Sequence, residues 1–586
     1  MLKINPYQLC RDTLRFKLLL STAILSSLTG TAYAGSCILD TPESYICSGA
    51  EAAGTDTTQS LTGSPLEVST SPGFGLMPST GNALTLIGNG GLSFTDNNAS
   101  IITGVDGINV TNNGSGALSL ISTGTVIGTV EYGIYAYNNL GTDLTIHAVN
   151  VIGDMGGIKA TNDGTGALSI TTTGTVTGTL EYGIYAENNR PLTDLIINVA
   201  NVTGNTSGIL GGNYTGTGAL TITATGTVTG TSNFGILAYT GGTDLTINVV
   251  DVIGGVDGIY AINEGTGPLS ITTSGTVTGT NRAGIIMENL TGPSLLTVAA
   301  GSTVQGAAVG INVFASAPVD ILNSGTIRNL SALSSALAIQ TTGAPGTLTN
   351  NGLIEGTVQL SDAGNSVINN ASGIWNTAGG INEFGTLVAT NSVLNNGTII
   401  AANGAVTDPV QTTTFNNVGT FTHAGVLTMA NGRAGDITVI NGDYVGKDGS
   451  LWLDTVLDDD SATTDKLVIN GNTSGNTRVR VDNLGGTGAQ TLNGIELIQV
   501  NGLSDGEFVK SGRIVAGAYD YSLVRGVGSN TTNWYLTSGL SPLDLTAPVD
   551  AVTPQVQRPE SGAYSANLAA ANTMFVSRLH DRLGET

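Results

Sequence analysis

Along most of the chain, apolar and polar residues alternate in short runs, the period of a strand with one face in a core and the other in water. Leu168 and Ile170 are the inward members of Ala-Leu-Ser-Ile-Thr (167–171), and Leu245 and Ile247 repeat the step further on. A block built on Gly-Ile, commonly continued by Tyr or Asn and then Ala or Val, places its isoleucine at Ile108, Ile134, Ile158, Ile184, Ile209, Ile236, Ile259, Ile285 and Ile311, about 25 residues apart. Between blocks lie an alternating strand and a third short strand of the type Gly-Thr-Val-Thr-Gly (174–178). Three strands per period, with Gly, Asn and Thr at the corners, predict a parallel β-helix whose isoleucines stack in one internal column. A single unit cannot bury its apolar face until its neighbours stack on it. A longer echo, GTGALSITTTGTVTGT (164–179) against GTGALTITATGTVTGT (216–231) and GTGPLSITTSGTVTGT (265–280), marks duplication of a two-coil unit.

Composition agrees with an all-β solenoid. Of 586 residues 84 are Gly, 11% are charged and 5% aromatic, a mixture that opposes helices and suits turns and strands. The formal charge is −24, with no basic patch, which excludes nucleic acid as a partner. The N-terminus reads as a secretory signal peptide: cations through Lys17, an apolar run Leu18–Leu28, and Ala32-Tyr33-Ala34 as the cleavage pattern, with the cut after Ala34. The alternative, a membrane anchor, needs a longer apolar span. Lys3, Arg11, Arg15 and Lys17 against Asp12 would leave with this leader, taking the remainder to −27. Cys10 leaves too, and Cys37 and Cys47 are expected to form a disulfide in an oxidising compartment; a metal site is the weaker reading, since no His is near.

Residues 35–100 repeat faintly and are expected to be an N-terminal cap with the first irregular coils, followed by regular repeats over 101–324. Over 325–441 the text loosens to Asn-rich phrases, namely 348–352, 368–370, 394–399 and Phe-Asn-Asn-Val-Gly-Thr-Phe (415–421). Asn suits tight corners, and stacked Asn side chains can bond along a ladder, so these read as further coils. From 442 to 540 the text changes to GDYVGKDGSLWLDTVLDDDSATTDKLVINGNTSGNTRVRVDNLGG and then IELIQVNGLSDGEFVKSGRIVAGAYDYSLVRG and NWYLTS.

Asp465-Lys466-Leu467, Gly517-Ala518-Tyr519-Asp520-Tyr521 and Asn533-Trp534-Tyr535-Leu536 carry a resemblance to the C-terminal part of pertactin-like autotransporter passengers. In that family the segment is a β-helical cap, the autochaperone, thought to fold first outside the cell. The resemblance implies a core of Trp452, Tyr519, Tyr521, Trp534 and Tyr535. The tail, 541–586, is a Pro-spaced linker followed by RPESGAYSANLAAANTMFVSRLHDRLGET, which resembles the helix that threads an autotransporter β-barrel. Ser565 to Leu583 is Ala-rich and would make a rod of about 28 Å. A plain surface helix is the alternative. No series of alternating barrel strands follows Leu583, so the barrel is expected elsewhere, the chain being a fragment or split frame, or else served by a separate translocator.

Catalytic constellations are scarce. A Ser/His/Asp triad would have to draw on His147, His423 or His580, and neither Gly-Asp-Ser-Gly nor a Gly-x-Ser-x-Gly elbow accompanies them. His147 stands where copies of its strand carry Asn198 and Asn248. Asp458, Asp459, Asp460 and Asp465 read as a solvated loop, with a loosely held calcium as the alternative. A binding surface has firmer footing. If Ile134 points inward, Tyr135 and Tyr137 point outward, as do Tyr185, Tyr239 and Tyr260 in other coils, giving rigid amphipathic contact area.

The reading is therefore a right-handed parallel β-helix passenger, exported through the periplasm and displayed on or shed from a Gram-negative outer membrane. It is expected to be non-catalytic and to need no cofactor, and its partners are a host-cell or bacterial-surface protein or glycan and the outer-membrane translocation machinery. The family resemblance implies an adhesin or virulence role. The rival reading is a carbohydrate-active enzyme on the same scaffold.

Overall fold

The computed structural model describes residues 34–190, 193–214, 218–539, 557 and 559–576. It is an all-β parallel solenoid of about 17 turns of ~25 residues, with one short C-terminal helix. The leader through Tyr33, its cysteine Cys10 included, and His580 lie outside the described residues.

Each coil contributes one strand to a first sheet and one bent strand, or two short ones, to a second. In one coil these are Tyr132–Asn138 and Leu144–Gly153; in the next they are Gly156–Asn162, then Leu168–Thr172 and Thr175–Gly178. The expected column is present: Ile108, Ile134, Ile158, Ile184, Ile209, Ile236, Ile259, Ile285 and Ile311 are register partners in sequence. All nine are buried, in one hydrophobic cluster that runs from Cys47 to Leu536.

Burying the strand ends would strand polar groups at the corners, and a ladder of buried asparagines meets that cost. Asn112 donates to Asn138 (2.9 Å), Asn138 to Asn162 (2.8 Å) and Asn162 to Asn188 (3.0 Å), while each also caps a turn carbonyl. This ladder within the regular repeats was not foreseen. The Asn-rich coils carry the expected one on the second sheet, through Asn323, Asn350, Asn369 and Asn395, with links of 2.8, 2.8 and 2.9 Å. Its next rung is His423 rather than either Asn of the 415–421 phrase. Asn416 instead lies on the first sheet, in an outer ladder with Asn441, Asn470 and Asn501.

Both ends of the solenoid turn antiparallel, which covers the terminal strand edges. At the N-terminus Ser36–Thr41 pairs with Ser44–Ser48, and Cys37 stands opposite Cys47, to which it is disulfide-bonded. At the other end Trp534–Thr537 pairs antiparallel with both Ile495–Val500 and Tyr519–Arg525. Beyond it, the helix spans Pro559–Val576, starting earlier than the Ala-rich run suggested because Pro suits the first helical position. Its Glu560 is 2.7 Å from Arg513 of the cap. Residues 577–583 of the expected rod lie outside the described residues. No helix among the described residues is long and apolar enough to cross a membrane.

Aromatic rings form a spine through the C-terminal core: Trp375, Phe415, Phe421, Tyr444, Phe508 and Trp534, with successive centroids 5.5, 5.3, 6.1, 6.0 and 5.6 Å apart. Two members of the expected aromatic core, Trp452 and Tyr519, are only partly buried. Trp452 faces outward under the Arg480 guanidinium, 4.8 Å from the ring, because a bulge at Asp448 (φ 57°) switches the parity of the strand between Tyr444 and Leu451. Tyr519 is half-buried at the outer end of its hairpin, whereas Tyr521, Trp534 and Tyr535 are buried.

Candidate functional site

The outer face of the first sheet carries two parallel rows, generated by strand alternation on either side of the buried residue two after each isoleucine, Ala or Val in most coils and Gly211 or Met287 in two. The inner row reads Asn109, Tyr135, Lys159, Tyr185, Leu210, Leu237, Tyr260 and Ile286 in register. The second reads Thr111, Tyr137, Thr161, Glu187, Gly212, Tyr239, Ile262, Glu288 and Phe314. Tyr135, Tyr137, Tyr185, Tyr239 and Tyr260 are thus brought onto one face, each partly exposed. Steps along a row are about 4.8 Å, the spacing of paired strands.

A third set of rings was missed. Tyr132, Tyr182 and Phe234 stand two residues before the column isoleucine in every second coil, with Gly156 and Ser207 between them and Asp257 after Phe234. The repeated Tyr-Gly-Ile-Tyr-Ala phrases of 132–136 and 182–186 are the signal that would have found them. Tyr132 packs on Tyr135 (5.9 Å), Tyr182 on Tyr185 (5.4 Å) and Phe234 on Tyr260 (5.6 Å), and Tyr214 stacks on Tyr239 (5.1 Å). Lys159, in the coil between, lies 5.3, 5.8 and 5.6 Å from the rings of Tyr132, Tyr135 and Tyr185. The rings therefore already hold one ammonium.

Carboxylates fix the phenols. Tyr137 donates to Asp163 (2.7 Å), Tyr239 to Glu264 (2.6 Å), Tyr260 to Glu288 (2.7 Å), and Tyr185 to Glu187. The bond to Glu264, then partial burial, pushes the Tyr239 hydroxyl up to about 12; burial, then the bond to Glu288, does the same for Tyr260. Tyr185 is raised mainly by burial. These hydroxyls remain protonated donors at neutral pH. The result is a stiff aromatic surface edged with negative charge.

The groups considered for chemistry lie apart from it. His147 is exposed on the second sheet, in register with Thr171 and, one coil further, Asn198. His423 is buried, between the Asn395 amide (3.3 Å) and the Ser450 carbonyl (3.2 Å), and burial pulls it down to about 4, partly offset by the Ser450 bond. The aspartates are not one solvated loop. Asp460 accepts three backbone N–H groups from Leu492, Asn493 and Gly494, clasping that turn. Asp465 is fully buried and accepts those of Gly435 (3.0 Å), Asp436 (2.9 Å) and Asp454 (2.8 Å), with burial pushing it up to about 7. Asp458 is partly exposed and Asp459 exposed. Among the described residues no three His, Cys, Asp or Glu side chains gather as metal ligands.

Separated C-terminal motifs converge on one carboxylate. Glu496 receives Lys466 (2.6 Å), the Asn533 amide (2.7 Å) and the Tyr535 hydroxyl (3.1 Å), so Asp465-Lys466-Leu467 and Asn533-Trp534-Tyr535-Leu536 meet there. Residues 411–523 match the model of the autochaperone domain type 1. The chain carries an autochaperone domain and is homologous to autotransporter adhesins. It is 44% identical over 149 residues to the autotransporter adhesin AIDA-I of Escherichia coli, and 42% identical over 176 residues to the adhesin BmaC autotransporter of Brucella suis. Those matches cover 25 and 28% of this chain, and 11 and 5% of the relatives. The uncharacterized protein YuaQ of Escherichia coli K12 is 51% identical over 173 residues, covering 29% of this chain. The chain spans 13% of the length of YuaQ. A parallel β-solenoid suits an autotransporter passenger, and the domain's match begins upstream of Gly442, near the part of the spine formed by Phe415 and Phe421.

Proposed function

We propose that the chain is a surface-displayed passenger of a type V system, exported through the periplasm and carried to the outer surface with the help of an outer-membrane β-barrel and its assembly machinery. There it acts as a non-catalytic adhesin, and the tyrosine face is the contact surface for a host-cell or bacterial-surface protein or glycan. The observation carrying this reading is the alignment of Tyr135, Tyr185 and Tyr260 in one row and Tyr137 and Tyr239 in the next. Rigid rings with fixed hydroxyls supply contact area at low entropic cost. Homology to autotransporter adhesins supports display and adhesion together.

The test is adhesion of cells displaying the chain through a fused barrel. Replacing Tyr135, Tyr185 and Tyr239 together by Ser is expected to leave surface display intact and to lower attachment to host cells or to neighbouring bacteria at least tenfold. Unchanged attachment at equal display would remove the tyrosine face from the function.

A further inference from the structure

Further along the same sheet one of the two outer rows ends in a notch. The strands Val309–Ala315 and Leu337–Gly343 are seven residues long, but the next two, Thr357–Gln359 and Ile381–Glu383, have three. Gly343 (φ 91°) and Gly385 (φ 82°) turn the backbone away from the sheet. A Cβ there would lie 2.1 Å from the Ala315 carbonyl and 1.8 Å from that of Ser361, so only glycine lets neighbouring coils pass. The second row therefore stops after Phe314 and Thr342, and a cleft of about 570 Å³ opens where it would have continued.

One wall of this cleft is the continued inner row, Gln340, Gln359 and Glu383, in register from coil to coil. Asp362 and Thr386 also line it. Behind them the backbone is held rigidly: buried Asn365 donates to the carbonyls of Ser361 (2.7 Å) and Phe384 (3.0 Å), and Ser361 donates to that of Ala344 (2.7 Å). Asp362 already accepts the Thr386 N–H, and Glu383 the amides of Asn416 and Asn417, which orients both carboxylates. A second hollow, sharing Thr342 and Gly343, continues the cleft to Phe314, whose ring is 41% exposed.

This lining selects a chemistry. Two amides, Gln340 and Gln359, are followed by the Glu383 carboxylate at steps of about 4.8 Å along the axis, Asp362 adds a second carboxylate, and among the described residues no Lys or Arg lines either hollow. Anionic ligands are repelled; a ligand rich in hydroxyl groups satisfies both donors and acceptors, and an exposed ring at one end offers a stacking platform. We propose that the cleft binds an extended, uncharged oligosaccharide laid along the solenoid axis, with one sugar on Phe314. The cleft proper shares no residue with the tyrosine face; the second hollow touches that face only at its end, through Glu288, the acceptor of the Tyr260 hydroxyl.

Calorimetric titration of the full exported chain with three neutral hexasaccharides (β-1,4-glucan, α-1,4-glucan and β-1,4-mannan) and with a heparin hexasaccharide is the test. At least one neutral glycan is expected to bind and heparin not to. Gln359→Ala and Phe314→Ala should each weaken binding at least tenfold, Phe314→Trp should retain it, and all three should melt like the parent. Tyr135→Ser should leave the affinity unchanged, which separates this site from the proposed adhesive face. The proposal fails if no neutral glycan binds, if heparin binds as well as the neutral ligand, if Gln359→Ala and Phe314→Ala bind like the parent, or if new reducing ends show that the cleft hydrolyses its ligand.

Discussion

The regular coils and the C-terminal coils use aromatic residues in opposite ways. Between about Gly107 and Gly310 the interior is Ile, Leu, Val and Ala with a rung of Asn, and the rings of Tyr135, Tyr137, Tyr185, Tyr239 and Tyr260 stand outside. From Trp375 to Trp534 the rings run through the core, accompanied by buried His423 and Asp465. Small aliphatic rungs are interchangeable, so coils can be duplicated, as the two-coil echo records. Large interlocking rings are not, and they concentrate buried apolar area where the matched autochaperone domain lies. A stack in which each coil contacts only its neighbours gains most from a well-packed end, since that end can nucleate the rest.

The largest expected effect follows from that end. In the chain joined to a barrel, Trp534→Ala removes a ring packed on Phe508 and under Arg525, at a cost of about 3–5 kcal/mol. Limited proteolysis should find its upstream coils sensitive and its surface display reduced. Deleting residues 162–212 should do neither, because Asn162 and Asn213 already occupy one register column. Equal resistance of the Trp534 variant and the parent would make the C-terminal segment merely the last coil.

His423 gives the next effect. Its folded pKa of about 4 lies below the ordinary value of 6.5, so the unfolded chain takes up the proton first. Its contribution is intact above pH 6.5 and is lost as pH falls through 6.5 to 4, by about 3 kcal/mol. Asp465 works in the opposite sense: raised to about 7, it favours the folded state most at low pH and loses that advantage as pH rises from about 4 through 7. His423→Asn extends the asparagine ladder and removes only the first term. Chemical denaturation at pH 7 and pH 4 should show the variant gaining about 3 kcal/mol on the parent over that interval. A constant difference would mean that His423 does not titrate between the two states.

A smaller effect is expected in the regular coils. Asn162→Ala takes a partner from the Gly166 carbonyl, the Asn188 side-chain oxygen and the Asn138 amide, costing about 2 kcal/mol, whereas Asn162→Thr should cost well under half of that, since Thr240 holds the equivalent rung. Similar melting of the two variants would show that the ladder contributes nothing specific. The smallest effect at a distance belongs to Cys37→Ser. It should loosen the N-terminal hairpin by about 2 kcal/mol and leave hydrogen exchange in the C-terminal coils unchanged, because coupling runs mainly between neighbouring coils.

Two local periods made much of this protein legible in its sequence. Alternation with period two told which side of a strand each residue takes, and the repeat of about 25 residues told which residues stack, so the isoleucine column and the shared face of the five tyrosines could be read directly. Both periods are properties of neighbouring residues and survive without knowledge of the fold. The rest depends on where the chain departs from them. One extra residue at Asp448 reverses the parity that would have put Trp452 inside. The spine joins rings from coils of unequal length, so no fixed offset links Trp375, Phe415, Tyr444 and Phe508. The cleft beside Gln359 exists because two successive strands stop after three residues, an absence of sheet that no residue pattern spells out. A repeat specifies what its copies share, and the tertiary structure decides what happens where a copy is interrupted, because there the packing of non-adjacent residues determines the path of the chain.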